Sequence, residues 1–200
     1  RPIAQVTFDE YTVGQPTFKY TDTSYDKNKL EITDRQWRFT IGGKTYTDAD
    51  AAKLVKKITK SGAYTLYYRV KNSDNVWSEF TPFTLNVKAN QAPVVTGLTV
   101  VRADNVHSSV VNSGEKIDFT YKIENEEWEE IVAEEWEYRW TSNGFDKHML
   151  GKPTMLYATN SPYAVTLKVK DAAGNWGSAT TYVSPKSTVS VAEAYAKFSN

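Results

Sequence analysis

Apolar and polar residues alternate along two stretches of this chain in the same phase. In "GAYTLYYRVKNSDNVW" (Gly62–Trp77), Tyr64, Leu66, Tyr68 and Val70 alternate with Thr65, Tyr67 and Arg69. In "SPYAVTLKVKDAAGNW" (Ser161–Trp176), Tyr163, Val165, Leu167 and Val169 alternate with Ala164, Thr166 and Lys168. A period of two predicts a strand with one buried face, and shared parity predicts that the same face is buried in both. "QWRFTI" (Gln36–Ile41) predicts Trp37, Phe39 and Ile41 inward with Arg38 and Thr40 outward. Its counterpart "EWEYRW" predicts Trp136, Tyr138 and Trp140 inward. Further strands are predicted at Thr17–Tyr20, Phe83–Val87, Lys116–Ile123 and Ala179–Val183.

The two stretches are copies. An offset of 99 pairs Tyr64 with Tyr163, Val70 with Val169, Asn72 with Asp171, Trp77 with Trp176 and Trp37 with Trp136. Toward the start the offset drifts, so Gly14 answers Gly114 and Pro2 answers Pro93. That places an insertion of about nine residues within Val101–Val111, as expected of a loop that tolerates added length. The turns "KNSDN" and "KDAAGN" carry hairpin chemistry. The expected fold class is all-β: two tandem immunoglobulin-like antiparallel β-sandwiches of about seven strands each, with a short helix in the first. Domain 1 is expected over 1–90, domain 2 over 91–188, and a tail or linker over 189–200. The short polar "KANQAP" (Lys88–Pro93) between them implies a semi-rigid tandem. In the tail, "VAEAYAKFSN" reads either as a short helix or as the opening of a further module.

One segment breaks the period of two. "DADAAKLVKKITK" (Asp48–Lys60) sets Ala51, Leu54, Val55 and Ile58 at helical spacing, with Asp48 as the expected N-cap. The equivalent region of copy two, Ser142–Asn160, contains Gly144, Gly151 and Pro153 and reads as loop.

Composition narrows the function. The chain has no cysteine, which excludes disulfides, thiolate metal sites and cysteine nucleophiles. Its 24 basic and 24 acidic residues cancel, so no nucleic-acid partner is implied. Residues 1–91 hold 14 basic and 10 acidic residues, and 92–200 hold the reverse. No stretch approaches the roughly 20 apolar residues of a membrane span, so no membrane insertion is expected. The chain opens at Arg1 without a secretory signal and reads as an excerpt or a mature product.

Several motifs resemble PKD-type and related bacterial immunoglobulin-like domains. In copy one these are Ser24-Tyr25-Asp26, Trp37, Gly42-Gly43, Gly62-Ala63-Tyr64 and Val70-Lys71-Asn72. In copy two they are Trp136, Tyr163, Val169-Lys170-Asp171 and Gly174, while "ENEEWEE" replaces the S-x-D turn. The resemblance implies a bacterial extracellular or cell-surface setting and a tandem beside other modules. Neighbouring domains of the same protein, cell-wall polysaccharide or a surface protein are the implied partners.

The eight glutamates between Glu124 and Glu137 read as a solvated edge that prevents strand pairing, with a catalytic pair or calcium site as the alternative. Asp22, Asp26 and Asp34 read as turn-forming side chains, with calcium ligation the alternative. No other cofactor is implied. His107 and His148 lack partners at ligand or triad spacing. Aromatic residues are the best binding candidates: Trp77 and Trp176 at hairpin ends, Trp128 among the glutamates, and Tyr67 on the outward parity. The expectation is a non-enzymatic spacer, presentation or adhesion module, with a carbohydrate- or protein-binding module appended to an exported hydrolase as the alternative.

Overall fold

The structure, a computed structural model, describes residues 1–187. The expected tail at 189–200 lies outside them. The chain divides into two compact units, the first ending at Asn90 and the second beginning at Gln91.

In unit 1 the strands are β1 (Pro2–Ile3), β2 (Val6–Phe8), β3 (Tyr11–Thr12), β4 (Tyr20–Asp22), β5 (Tyr25–Asp26), β6 (Ile32–Ile41), β7 (Lys44–Asp48), β8 (Gly62–Asn72) and β9 (Thr81–Lys88). One sheet has the order β3-β9-β8-β6-β7, antiparallel except that β3 runs parallel to β9. Opposite it, β1 pairs with β5 and β2 with β4 in one interrupted antiparallel ladder. Unit 2 repeats this plan with β10 (Val94–Val101), β11 (Val110–Asn112), β12 (Asp118–Glu124), β13 (Ile131–Ser142), β14 (Phe145–Leu150), β15 (Tyr163–Asp171) and β16 (Trp176–Lys186). Its large sheet has the order β11-β16-β15-β13-β14, with β11 parallel to β16, and β10 pairs with β12 opposite. Each unit is an immunoglobulin-like sandwich, and the inserted residues fall between β10 and β11.

The duplication extends to turn chemistry. Asn72 Oδ1 accepts from the Val76 amide at 2.9 Å, and Asp171 Oδ1 accepts from the Asn175 amide at 2.8 Å. Both Asx side chains are buried and close the same hairpin. The left-handed position in that turn is Asn75 (φ 60°) in one copy and Gly174 (φ 95°) in the other, again 99 apart. Gly177 answers a different need: a Cβ there would lie 1.7 Å from the Pro93 carbonyl oxygen.

The predicted parity holds in β6, β8 and β15. Trp37, Leu66, Tyr68 and Val70 are fully buried in one core, and Val165, Leu167 and Val169 in another. Trp37 stacks on Tyr68 at 4.1 Å and meets Tyr20 edge-on at 5.1 Å.

The structure corrects four expectations. The strand expected at Thr17–Tyr20 begins only at Tyr20, because Pro16 and the turn closed by Gln15 N–H to the Thr12 carbonyl keep the preceding residues off the ladder. The helix α1 spans only Ala51–Val55 and is capped by Asp50, whose Oδ1 accepts from the Ala52 amide at 2.9 Å. Asp48 instead receives the Asp50 amide, and a tight turn carries Ile58 into the core. Ser142–Asn160 is not all loop: Asn143 and Gly144, both with positive φ, turn the chain back into β14. Trp136 is only half-buried. In unit 1, Leu54 and Val55 of α1 bury themselves against the face that holds Trp37; unit 2 has no helix there, so Trp136, Tyr138 and Trp140 stay partly open.

Candidate functional site

Alternation on β6 and β8 that buries Trp37 and Tyr68 necessarily turns Gln36, Arg38, Tyr67 and Arg69 outward. The antiparallel register sets Arg38 opposite Tyr67 and Gln36 opposite Arg69. After the Asn72 hairpin, a bridge between Lys71 and Trp77 brings Trp77 back beside the same face, and Phe80 follows just before β9. The planar groups then interleave. The Arg69 guanidinium carbon lies 4.5 Å from the centre of the Trp77 ring and 4.5 Å from that of Phe80. The Arg38 guanidinium carbon lies 4.3 Å from Phe80 and 5.0 Å from Tyr67. The result is a five-layer ladder, Trp77–Arg69–Phe80–Arg38–Tyr67, across the outer face of β8 and β6.

The two cations differ. Gln36 Oε1 accepts from Arg69 Nε at 2.7 Å and from Nη2 at 2.5 Å, which fixes that guanidinium. Arg38 has rings on two sides, but no hydrogen-bond acceptor or carboxylate partner among the described residues. It lies over two rings without an ion-pair partner among the described residues, and the forked N–H donors of a guanidinium match a planar carboxylate. Arg69 and Arg38 already occupy one face each of Trp77 and Tyr67. Cations stacked on rings, rather than bare aromatic residues, are therefore what this surface offers.

Of the residues singled out from the sequence, only Tyr67 and Trp77 are brought together. Trp128 sits half-buried in the β12–β13 turn. Trp176 lies on the outer face of β16, 44 % exposed, with Lys170 Nζ 5.6 Å from its ring centre. Tyr182, also exposed, shares that outer face.

The three aspartates go to separate tasks. Asp22 Oδ2 accepts from Arg35 Nε at 2.6 Å and from the Tyr68 hydroxyl at 2.8 Å, while Oδ1 accepts from the Ser24 amide. Burial pushes the Asp22 carboxyl up, but the bonds from Ser24, Arg35 and Tyr68 outweigh it and hold the carboxyl below its ordinary value. Burial, then the bond to Asp22, pushes the Tyr68 hydroxyl well above its ordinary range. Buried Asp26 closes its own turn through the Asn28 amide and accepts from Asn72 Nδ2 at 3.0 Å. Asp34 is half-exposed and pairs with Lys71 Nζ at 2.6 Å. Among the described residues no group of three or more His, Asp or Glu is placed to hold a metal ion.

The glutamate run divides across β13. Glu134 faces the core side and accepts from the Tyr121 hydroxyl at 2.8 Å; Glu137 faces outward, against His148 at 3.0 Å and Lys168 at 3.3 Å. His107 contacts Thr99 Oγ1 at 3.1 Å. No helix among the described residues is long and apolar enough to cross a membrane.

Arg38, Arg69 and Phe80 were not singled out by sequence. Their signal was faint: cations on the outward parity of β6 and β8, and a Phe just past the hairpin that returns Trp77.

No protein-family model matches the chain, and no curated protein matches it in sequence. Among solved structures it is similar to the fibronectin(III)-like modules of Clostridium thermocellum CbhA, at 18% identity over 92% of this chain and 95% of that one, with a TM-score of 0.34. It is also similar to the FN1–FN3 domains of chicken CNTN1, at 11% identity over 89% and 66%, with a TM-score of 0.30. A third is a structure described for host cell surface retention of a 1.5-MDa bacterial ice-binding adhesin, at 14% identity over 94% and 66%, with a TM-score of 0.36. At such scores the fold assignment stands on the strand ladders and cores described above. None of these three descriptions is of a PKD-type domain.

Proposed function

We propose that the chain is a non-catalytic tandem module of a bacterial extracellular or cell-surface protein. Its two sandwiches space and present neighbouring domains, and the first adheres through the arginine–aromatic ladder. The observation that carries this reading is the Arg38 guanidinium, lying over both Phe80 and Tyr67 with no carboxylate partner among the described residues. A cation held against rings in advance loses less side-chain entropy when it meets an anion. The partner that fits is a carboxylate-bearing cell-wall polysaccharide. The PKD-type resemblance of Gly62–Asn72 adds support for the surface setting.

The test is a titration of the chain with a carboxylate-bearing polysaccharide, followed by the fluorescence of Trp77 in the ladder. Saturable binding that weakens with salt and is lost in Arg38→Gln, with an unchanged circular-dichroism spectrum, is the expected result. Binding that survives Arg38→Gln, or none at all, contradicts the adhesive role. A second reading draws on Trp176 and Tyr182, two exposed rings about 20 Å apart on the outer face of β16 at roughly 3.3 Å per residue. Under that reading a neutral polysaccharide binds regardless of Arg38, and Trp176→Ala abolishes binding.

A further inference from the structure

Trp136, Tyr138 and Trp140 share the core-side face of β13, and all three stay partly open. The register places Met149 of β14 beside Tyr138, and Phe145 beside Ser142, on that same face. Met149 is 49 % exposed and Phe145 69 %. Tyr138 stacks on Trp140 at 5.7 Å, and Trp140 meets Tyr163 at 5.1 Å. Lys147, between Phe145 and Met149, has its Nζ 6.0 Å from the Phe145 ring centre, so its stem can lie along apolar surface with the charge in water.

Copy one shows what closes such a face. There Ala51, Leu54, Val55 and Ile58, at i, i+3, i+4 and i+7, are buried in one core with Trp37 and Phe39, and Asp50 caps the helix. Phe39 is 1 % exposed, whereas its counterpart Tyr138 is half-buried. The same spacing recurs in the sequence after β16. Val191, Ala194, Tyr195 and Phe198 stand at i, i+3, i+4 and i+7. Ser190 precedes them as Asp50 precedes Ala51, and Glu193 three residues on completes the S-x-x-E pattern of a capping box. Ala192, Ala194 and Ala196 add helix propensity.

From this match we infer that residues 190–198 form a helix that docks on the open face of unit 2, in the role α1 has in unit 1. β16 delivers the chain to the right end of the sheet. Val183 pairs with Tyr163, and Ala164 with Arg139, so Val183, Tyr163 and Trp140 lie in one row across three strands. Lys186, at the end of β16, lies about 14 Å from Trp140, at roughly 4.8 Å per strand and 3.3 Å per residue. The chain from Lys186 to Ser190 reaches about 14 Å, and the helix that follows adds about 12 Å. The apolar stripe then meets Tyr138, Trp140, Phe145 and Met149. This docking does not depend on what the ladder of unit 1 binds.

The chain has no cysteine, so paired substitutions in the full 200-residue chain read the docking directly. Met149→Cys supplies one thiol. Ala194→Cys or Tyr195→Cys supplies the other on the stripe, and Ala192→Cys or Ala196→Cys supplies it away from the stripe. The stripe pairs are expected to close an intramolecular disulfide severalfold faster than the other pairs. Ala194→Pro, combined with Tyr195→Cys, removes that advantage by breaking the helix. Tyr195→Lys with Phe198→Lys, in the cysteine-free chain, speeds amide exchange in β13 severalfold and leaves β6 and β8 unchanged. Equal closure rates on and off the stripe overturn the inference. So does exchange in β13 that ignores the lysine pair, and so does a disulfide that joins two chains instead of closing within one.

Discussion

Phe80 is the middle layer of the ladder, between Arg38 at 4.3 Å and Arg69 at 4.5 Å. Its coupling to Arg38 can be isolated with a cycle that keeps the bulk and removes the chemistry: Phe80→Leu, Arg38→Met and the double variant. A cation over a ring at a half-exposed site is worth about 0.5–1 kcal/mol. Phe80→Leu severs two such contacts and costs about 1–2 kcal/mol. Arg38→Met loses its contacts with Phe80 and Tyr67 but keeps an apolar stem, and costs about 1 kcal/mol. The two changes share one contact, so the double variant costs about 0.5–1 kcal/mol less than the sum. Urea unfolding of the four proteins, with midpoint and slope fitted separately, reads these values. The coupling persists in high salt more than a surface ion pair does, because the rings shield the contact. Strict additivity would mean that the stack is an accident of side-chain placement, and Arg38 would then not be pre-fixed for a ligand.

Tyr68 gives a pH signature. Its folded hydroxyl titrates well above the ordinary value of 10.0, so its contribution is complete below pH 10 and is lost as pH rises through the folded value. Thermal melts of unit 1 therefore fall steeply above pH 10, and Tyr68→Phe flattens that fall. Asp22, with its folded carboxyl lowered, acts at the other end: its contribution is present above the ordinary 3.8 and disappears as pH drops through the folded value. Asp22→Asn removes that part of the acid sensitivity. Because Asp22, Asp26 and Asp34 each hold protein donors in separate places, the melting temperature is expected to be the same in calcium and in chelator; a rise with calcium would assign those carboxylates to a metal.

Strand parity was legible in the sequence because burial on one face imposes a period of two, and it holds for Trp37, Phe39, Leu66, Tyr68, Val165 and Leu167. Copy-to-copy pairing was legible for the same reason, down to Asn72 answering Asp171. Strand β14 is hidden because Gly144, Gly151 and Pro153 give the stretch a loop-like composition, and its one signal is the Asn-Gly pair of "SNG", in which the same Gly144 closes a tight hairpin. The half-exposure of Trp136 required joining two observations, inward parity and a missing helix on the facing side, and parity alone does not say what lies opposite. The ladder was the least legible feature. Tyr67 and Trp77 were visible as aromatics, but what they stack on is set by cross-strand register and by the return path of the hairpin, neither of which a local pattern encodes.

The central claim is that the chain holds two copies of one sandwich, each with a private core. Native-state hydrogen exchange on Trp37→Ala tests it most directly. The lost ring is fully buried against Tyr68, Tyr20 and Phe8, so the change costs about 3–5 kcal/mol. Amides of β6, β8 and β9 are expected to exchange faster by that amount, while those of β13, β15 and β16 keep their protection. Equal loss of protection in both sets would show a single shared core and contradict the account.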